Sequence, residues 1–225
     1  MTTSGTAAVA FDVVDLVEEA FERCGLEART GYDYRTARRS LNLLLMEWAN
    51  RGLNMWTVEQ VTQLLVAGTA AYALAADTVD VLDIAIRTGT GTDQSDVFIH
   101  RISQAQYLQV PSKNTTGVPV QYSVSRATAQ PTVTFWPIPD SADTYTAVYY
   151  RLRRIQDASA AANTMDVPFR FVPALTAGLA FFLAVKRAPD RAGDLKLDYE
   201  DTFERASQED RERASFFVTP YAGRM

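Results

Sequence analysis

"LNLLLMEWANRGLNMWTVEQV", residues 41–61, opens as a helix and closes as a strand. Leu41, Leu44, Leu45 and Trp48 share one helical face, and Gly52 stands where a left-handed C-terminal residue belongs. From Trp56 the residues alternate instead with a period of two, so the chain changes layer within a few residues. Upstream, Asp33 caps this helix, and Tyr34 and Ala37 extend its stripe. Before it, Val13, Leu16, Val17, Ala20, Phe21 and Cys24 form another stripe, with Asp12 as cap and Gly25 as stop. Two such helices joined by a short turn cannot bury both stripes against each other, so further helices must complete the layer.

Downstream, residues 56–154 are rich in Val, Thr, Tyr and Ile between Gly, Pro, Asn and Asp punctuation, which predicts strands. The runs 57–66, 71–75, 80–88, 96–102, 119–126, 131–136 and 144–153 are the expected strands. "VAGTAAY", "RTGTGTDQ" and "SRATAQPT" read as hairpin turns between them. Ser103 caps a brief helix over "QAQYLQV" that stops at Pro111.

Residues 155–165 are small and polar, as in a linker. "DVPFRFVPALTAGLAFFLAVKRAP" is then apolar nearly all round, which predicts a central helix over 168–187, the alternative being that part of it faces another subunit. A last helix, residues 190–213, sets Leu195, Tyr199, Phe203 and Ala206 on one face and dense charge elsewhere. Beyond it, "ASFFVTPYAGRM" carries aromatics outside any helical period, a composition suited to docking. The expected fold is α+β: a four-helix bundle from the N- and C-terminal segments, a central antiparallel β-rich insert, and an extended C-terminal tail. The expected division is 1–55 for the helical hairpin, 56–154 for the insert, 155–213 for the completing helices and 214–225 for the tail.

Composition limits the chemistry. Of the 225 residues, 47% are hydrophobic and 22% charged, the balance of a globular protein. The formal charge of -5 disfavours tight binding to phosphates. Cys24 and His100 are the only cysteine and histidine, which removes intrachain disulfides and most metal constellations. His100 alternates with Phe98 and Ile102 along a strand and reads as structural. The N-terminus lacks a basic signal region, and the strongly apolar uncharged run 171–185 is shorter than the roughly 20 residues a membrane span needs. The expectation is therefore a soluble intracellular protein with no membrane partner.

No Gly-x-Ser-x-Gly elbow, phosphate-cradling glycine loop or paired histidines occur, and "RTGTGTDQ" lacks the third glycine of a dinucleotide fingerprint. The adjacent carboxylates Glu18 and Glu19, Glu200 and Asp201, and Glu209 and Asp210 lack an apolar setting that would raise a pKa. No enzyme, cofactor or metal site is expected. Arg35, Arg38 and Arg39 lie away from the Leu41 stripe, where they pair with acids of a neighbouring copy or face water. Arg151 and Arg153 share one strand face and would line a lumen or an interface, the interface being favoured by the net charge.

"RTARRSLNLLLMEWANRGLNMWTVEQVTQLLVAGTAAYAL" at 35–74, "VFIHRISQAQYL" at 97–108, "YYRLRRIQDA" at 149–158 and "DVPFRFVPALTAGLAFFLAVKRAPDR" at 166–191 together resemble the head-to-tail adaptor (connector) proteins of short-tailed bacteriophages. These are the tail tubular protein A and packaged-DNA-stabilisation types. The resemblance implies a homo-oligomeric, dodecameric ring between the portal protein above and the tail nozzle protein and tail fibres below. It implies a channel that passes genomic DNA without sequence-specific binding, and no catalysis. The chain would reside in the virion at the portal vertex and tail, and in host cytoplasm during assembly. Carried onto this sequence, Phe216, Phe217, Val218 and Tyr221 would dock on the portal. Helices 34–51 and 168–187 would build the ring wall, with Arg35, Arg38, Arg39, Phe181 and Phe182 at the subunit interface. The alternatives are a virion-associated cell-wall hydrolase, with Glu47 or Glu59 as candidate carboxylates, and a DNA-end-binding protein.

Overall fold

In the computed structural model of the chain, which describes residues 11–52, 55–89, 91–158 and 164–210, residues up to Asn50 and from Asp157 onward form one unit and Arg51–Gln156 a second. In the first unit, helix α1 (Val13–Arg23) opens with a reciprocal cap. The Asp15 amide donates to Asp12 Oδ1 at 2.9 Å, and the Asp12 amide to Asp15 Oδ2 at 3.3 Å. It stops at Gly25, whose φ of 72° is open to glycine at little cost, while Arg191 Nη1 donates to the Arg23 carbonyl at 3.0 Å.

Helix α2 (Gly31–Asn50) begins before the expected position. Asp33 is not the residue ahead of the helix but lies in its first turn, accepting from the Thr30 hydroxyl at 2.8 Å and the Thr30 amide at 3.0 Å. Thr30 supplies the other half of that cap, its hydroxyl accepting from the Asp33 amide at 3.3 Å.

After a tight turn at Phe169–Phe171 comes α4 (Val172–Arg187), and after Pro189–Arg191 comes α5 (Ala192–Glu209). α4 buries Ala174, Leu175, Ala177, Leu179, Leu183 and Ala184, and α1, α2 and α5 all pack on it. The small residues allow the close approach. A Cβ on Gly178 would lie 2.8 Å from Tyr199 Cε2 and 2.9 Å from Leu44 Cδ2, so α2 and α5 are both held near the α4 backbone. Residues Phe169–Arg187 are long and apolar enough by composition to cross a membrane, but over half of that surface is buried inside the protein.

The second unit carries seven strands: β1 (Val58–Leu64), β2 (Ala71–Ala73), β3 (Thr78–Thr88), β4 (Ser95–Arg101), β5 (Gln121–Ser125), β6 (Thr132–Trp136) and β7 (Thr146–Arg153). β1 follows a turn at Met55–Thr57, so the strand starts two residues after Trp56. A short helix, α3 (Gln104–Gln109), is capped by Ser103 and Gln106. The strand order is β1-β7-β3-β4-β5-β6-β2. β1 and β2 thus occupy opposite edges although only residues 65–70 connect them, so "VAGTAAY" is not a hairpin turn.

That connection forces the sheet to curl. Flat, seven strands separate the edges by about 29 Å at roughly 4.8 Å per gap, whereas the chain from Leu64 to Ala71 reaches at most about 25 Å when extended. It is not extended, since Gly68 has φ 79° and the Thr69 amide donates to the Val66 carbonyl at 3.0 Å. The curl encloses Val81, Ile84, Ile86, Tyr122, Phe135 and Tyr149.

The expected four-helix bundle with an antiparallel insert is therefore corrected. Among the described residues five helices form, three of them gathered on a central α4 because that helix is apolar nearly all round, and the sheet is mixed and curled. Its exception is the β4–β5 pair, parallel through His100 opposite Gln121 and Arg101 opposite Tyr122. The chain between these strands spends residues 102–120 on α3 and a return path, so β5 enters in the same direction as β4.

Candidate functional site

The carboxylates proposed for hydrolysis have structural partners. On α2, Trp48 is fully buried against Phe171 and Phe203, with ring centroids 5.6 and 5.3 Å away. Its indole N–H donates to the Tyr199 hydroxyl at 2.9 Å, and that hydroxyl donates to Glu47 Oε2 at 3.3 Å. Glu47 thereby satisfies the polar end of an aromatic cluster. Glu59, on β1, faces Arg151 across the β1–β7 ladder.

Arg151 is the centre of that second cluster. Its guanidinium donates to Glu59 Oε2 at 2.8 Å, Asp77 Oδ1 at 2.6 Å and the Thr78 hydroxyl at 2.9 Å. Arg153 lies 2.6 Å from the other Glu59 oxygen. The Arg151 hydrogen bond pulls the Asp77 carboxyl below its ordinary pKa. Arg151 and Arg153 do share a neighbourhood, but their charge is answered within the chain. Asp80 plays the converse part, accepting from Arg101 at 2.8 Å and Arg126 at 2.7 Å.

The groups considered for chemistry are otherwise plain. His100 lies exposed on β4 rather than packed in a core. Cys24 is buried, donates to the Ala180 carbonyl at 3.2 Å, and has its pKa raised by burial, so it is a poor nucleophile. No cluster of three metal-ligating side chains occurs among the described residues.

What the helical unit offers is a surface. Tyr32, Arg35, Arg39, Leu43 and Met46 recur at helical spacing along α2, opposite the buried Leu41, Leu44 and Trp48, and all are exposed. Leu43 is 53% and Met46 64% exposed, large values for such side chains inside a helix. Arg35 and Arg38 also flank a small hollow formed with Val13, Val14 and Val17 of α1, where the Tyr34 hydroxyl donates to Glu18 at 2.7 Å. Arg39 reaches Thr36 Oγ1 at 3.5 Å, and Arg187 pairs with Asp33 while lying over the Tyr32 ring at 5.8 Å. The structure thus groups Arg35, Arg38 and Arg39 on one side of α2.

Phe181 and Phe182 are half-buried on α4; Phe181 stacks on Tyr199 at 6.3 Å and meets Phe182 edge-on at 5.7 Å. Phe216, Phe217, Val218 and Tyr221 lie outside the described residues. Sequence reasoning selected the arginines of α2 and missed Leu43, Met46 and Tyr32, although their spacing repeats that of the arginines. In the second unit it also missed exposed Phe98 on β4, where alternation was read without knowing which face is covered, and exposed Leu108 on α3.

The arrangement can hold partners through mixed basic and apolar helical faces, and the paired carboxylates are occupied in holding the fold. A family model described as SU10 adaptor protein matches residues 11–223. No curated protein matches the chain.

Proposed function

The chain belongs to the SU10 adaptor protein family and is a phage adaptor protein of the virion, and from that premise we propose that it joins head to tail as a dodecameric ring beneath the portal protein. The ring links the portal to the tail nozzle and tail fibres and forms part of the channel for genomic DNA. It catalyses nothing and carries no cofactor.

The observation that carries this reading is the family match over nearly the whole chain. The exposed basic and apolar face of α2 supports a subunit contact through Arg35, Arg38 and Arg39, with the aromatic pair Phe181 and Phe182 of α4 as a second contact. The C-terminal segment, with Phe216, Phe217, Val218 and Tyr221, docks on the portal. Arg151 and Arg153 are largely buried and tied to Glu59 and Asp77, so at a lumen or neighbour they leave a neutralised cluster rather than a free basic patch, and with the net charge of -5 this suits DNA that slides without sticking. Glu47 and Glu59 are engaged by Tyr199 and by Arg151, which gives the hydrolase alternative no support.

The test is to mix the protein with its phage's portal protein and observe the product by negative-stain microscopy and sedimentation. A ring on the portal is expected, and deletion of residues 214–225 abolishes co-sedimentation. Absence of any complex with the portal overturns the reading, and unchanged binding by the truncated chain overturns the assignment of the tail.

A further inference from the structure

A second stripe answers the one on α2. Along α5, Asp194, Leu197, Asp201, Glu204 and Gln208 recur at spacings of three and four on the side away from buried Tyr199 and Ala206, and all are exposed. Leu197, 71% exposed, is the one apolar member, set among acids. The α2 stripe has the reverse composition, with Arg35 and Arg39 on one side of its apolar Leu43.

We propose that the α2 stripe of one copy packs antiparallel on the α5 stripe of the next copy, with Leu43 against Leu197, Arg39 against Asp201 and Arg35 against Glu204. The register follows from the spacing. With Leu43 on Leu197, four residues toward the start of α2 reach Arg39, and four toward the end of α5 reach Asp201. A further turn on each brings Arg35 to Glu204, and three residues in the opposite direction bring Met46 to Asp194 beside Gly193, where there is open space. A parallel alignment is poorer, since it lays Met46 on Glu200 and Asp201, gives Arg39 only Asp194 in the first turn of α5, and carries Arg35 past the start of that helix.

Charge also selects the occupant. An α2–α2 contact opposes arginines and an α5–α5 contact opposes carboxylates, so both self-pairings repel, while the mixed pairing attracts. Both stripes are exposed on the same unit, so neither is covered by the other within one chain. Asp201 pairs with Arg205 in its own helix, but both side chains are more than half exposed, so this link is weak enough to be shared. A contact between two different faces is heterologous and propagates head to tail, closing into a ring when the rotation per subunit allows. This inference rests on the ring reading above and names the faces that would make it.

The experiment is disulfide trapping in the full chain. Leu43→Cys and Leu197→Cys proteins are mixed in equal amounts under mild oxidation, with the portal protein present; both sites are exposed, and buried Cys24 stays inert. The 43–197 cross-link is expected to exceed both homodimeric cross-links several-fold, and a chain carrying both cysteines gives a ladder of oligomers. Arg39→Glu on the Leu43→Cys chain lowers the yield by about tenfold, and Asp201→Arg on the partner restores it. Homodimers as abundant as the 43–197 product, or a yield indifferent to Arg39→Glu, overturn the proposal. A ring on the portal without the 43–197 cross-link discards these faces and leaves the adaptor reading standing, whereas a failure of that reading shows as no ring at all.

Discussion

The helical unit and the β unit use charged and polar groups in opposite places. In the first, polar chemistry enters the interior: the Trp48 indole, the Tyr199 hydroxyl and Glu47 form a chain at the centre of an aromatic cluster. In the second, the interior cluster is Val81, Ile84, Ile86, Phe135 and three tyrosines, and in the ionic clusters the central Arg151 and Asp80 are largely buried while their partners Glu59, Asp77, Arg101 and Arg126 open to solvent. A buried hydrogen bond between large rings is costly to break on one side, whereas partly exposed ions are screened and lose less. The helical unit should therefore be the less forgiving of the two.

The largest effect tests that directly. Trp48→Ala removes a fully buried ring together with the indole hydrogen bond to the Tyr199 hydroxyl, and is expected to cost about 3–5 kcal/mol. Thermal unfolding followed by circular dichroism measures it; loss of helical signal ahead of the β signal sustains the contrast, and a simultaneous loss breaks it. Arg151→Met, in the other unit, leaves Glu59 and Asp77 without their shared guanidinium. Because both acids are nearly half exposed, the expected loss is only about 1 kcal/mol in urea titration, and the Asp77 pKa rises by NMR. A loss as large as that of Trp48→Ala would erase the distinction.

Gly178→Ala is a finer probe of the same interior. The methyl gains roughly 1 kcal/mol of helix propensity but meets Tyr199 and Leu44 under 3.0 Å, an overpacking of about 1–3 kcal/mol. A modest net destabilisation is expected, and a stabilised variant would show that the helices around α4 have room to move.

The smallest effect concerns acid. Asp33 is held down to about 2, first by the Thr30 hydroxyl and next by Arg187. Its folded pKa lies below the unfolded value of about 3.9, so the stability it contributes is present above about pH 4 and is lost as pH falls toward 2. Asp33→Asn should flatten the stability profile in that window and change its shape little above it. An unaltered acid limb would show that Asp33 is not a source of it.

How much of this was readable in advance depends on range along the chain. The seven strands fall within two residues of their expected ends, because alternation and the Gly and Pro that interrupt it act on neighbouring residues. The stripes of α1 and α2 and the cap by Asp12 were legible for the same reason. The pairing of Glu59 with Arg151 joins residues 92 apart, and that of Trp48 with Tyr199 residues 151 apart, so no local pattern carries either. His100 and Phe98 alternate correctly, yet alternation marks which residues share a face and not which face is covered.

By itself the sequence determined the kinds and limits of the elements, the absence of clustered thiolates or histidines, and the combination of motifs that resembles phage adaptors. Only the tertiary structure decided that β1 and β2 stand at opposite edges of a curled sheet, that β4 and β5 run parallel, and that α4 rather than a four-cornered bundle organises the helices. The reason is physical. Backbone preference and hydrophobic period are set within a few residues, whereas strand order and helix neighbours are set by closing a core whose members are distant in the chain and must satisfy burial and hydrogen bonding together.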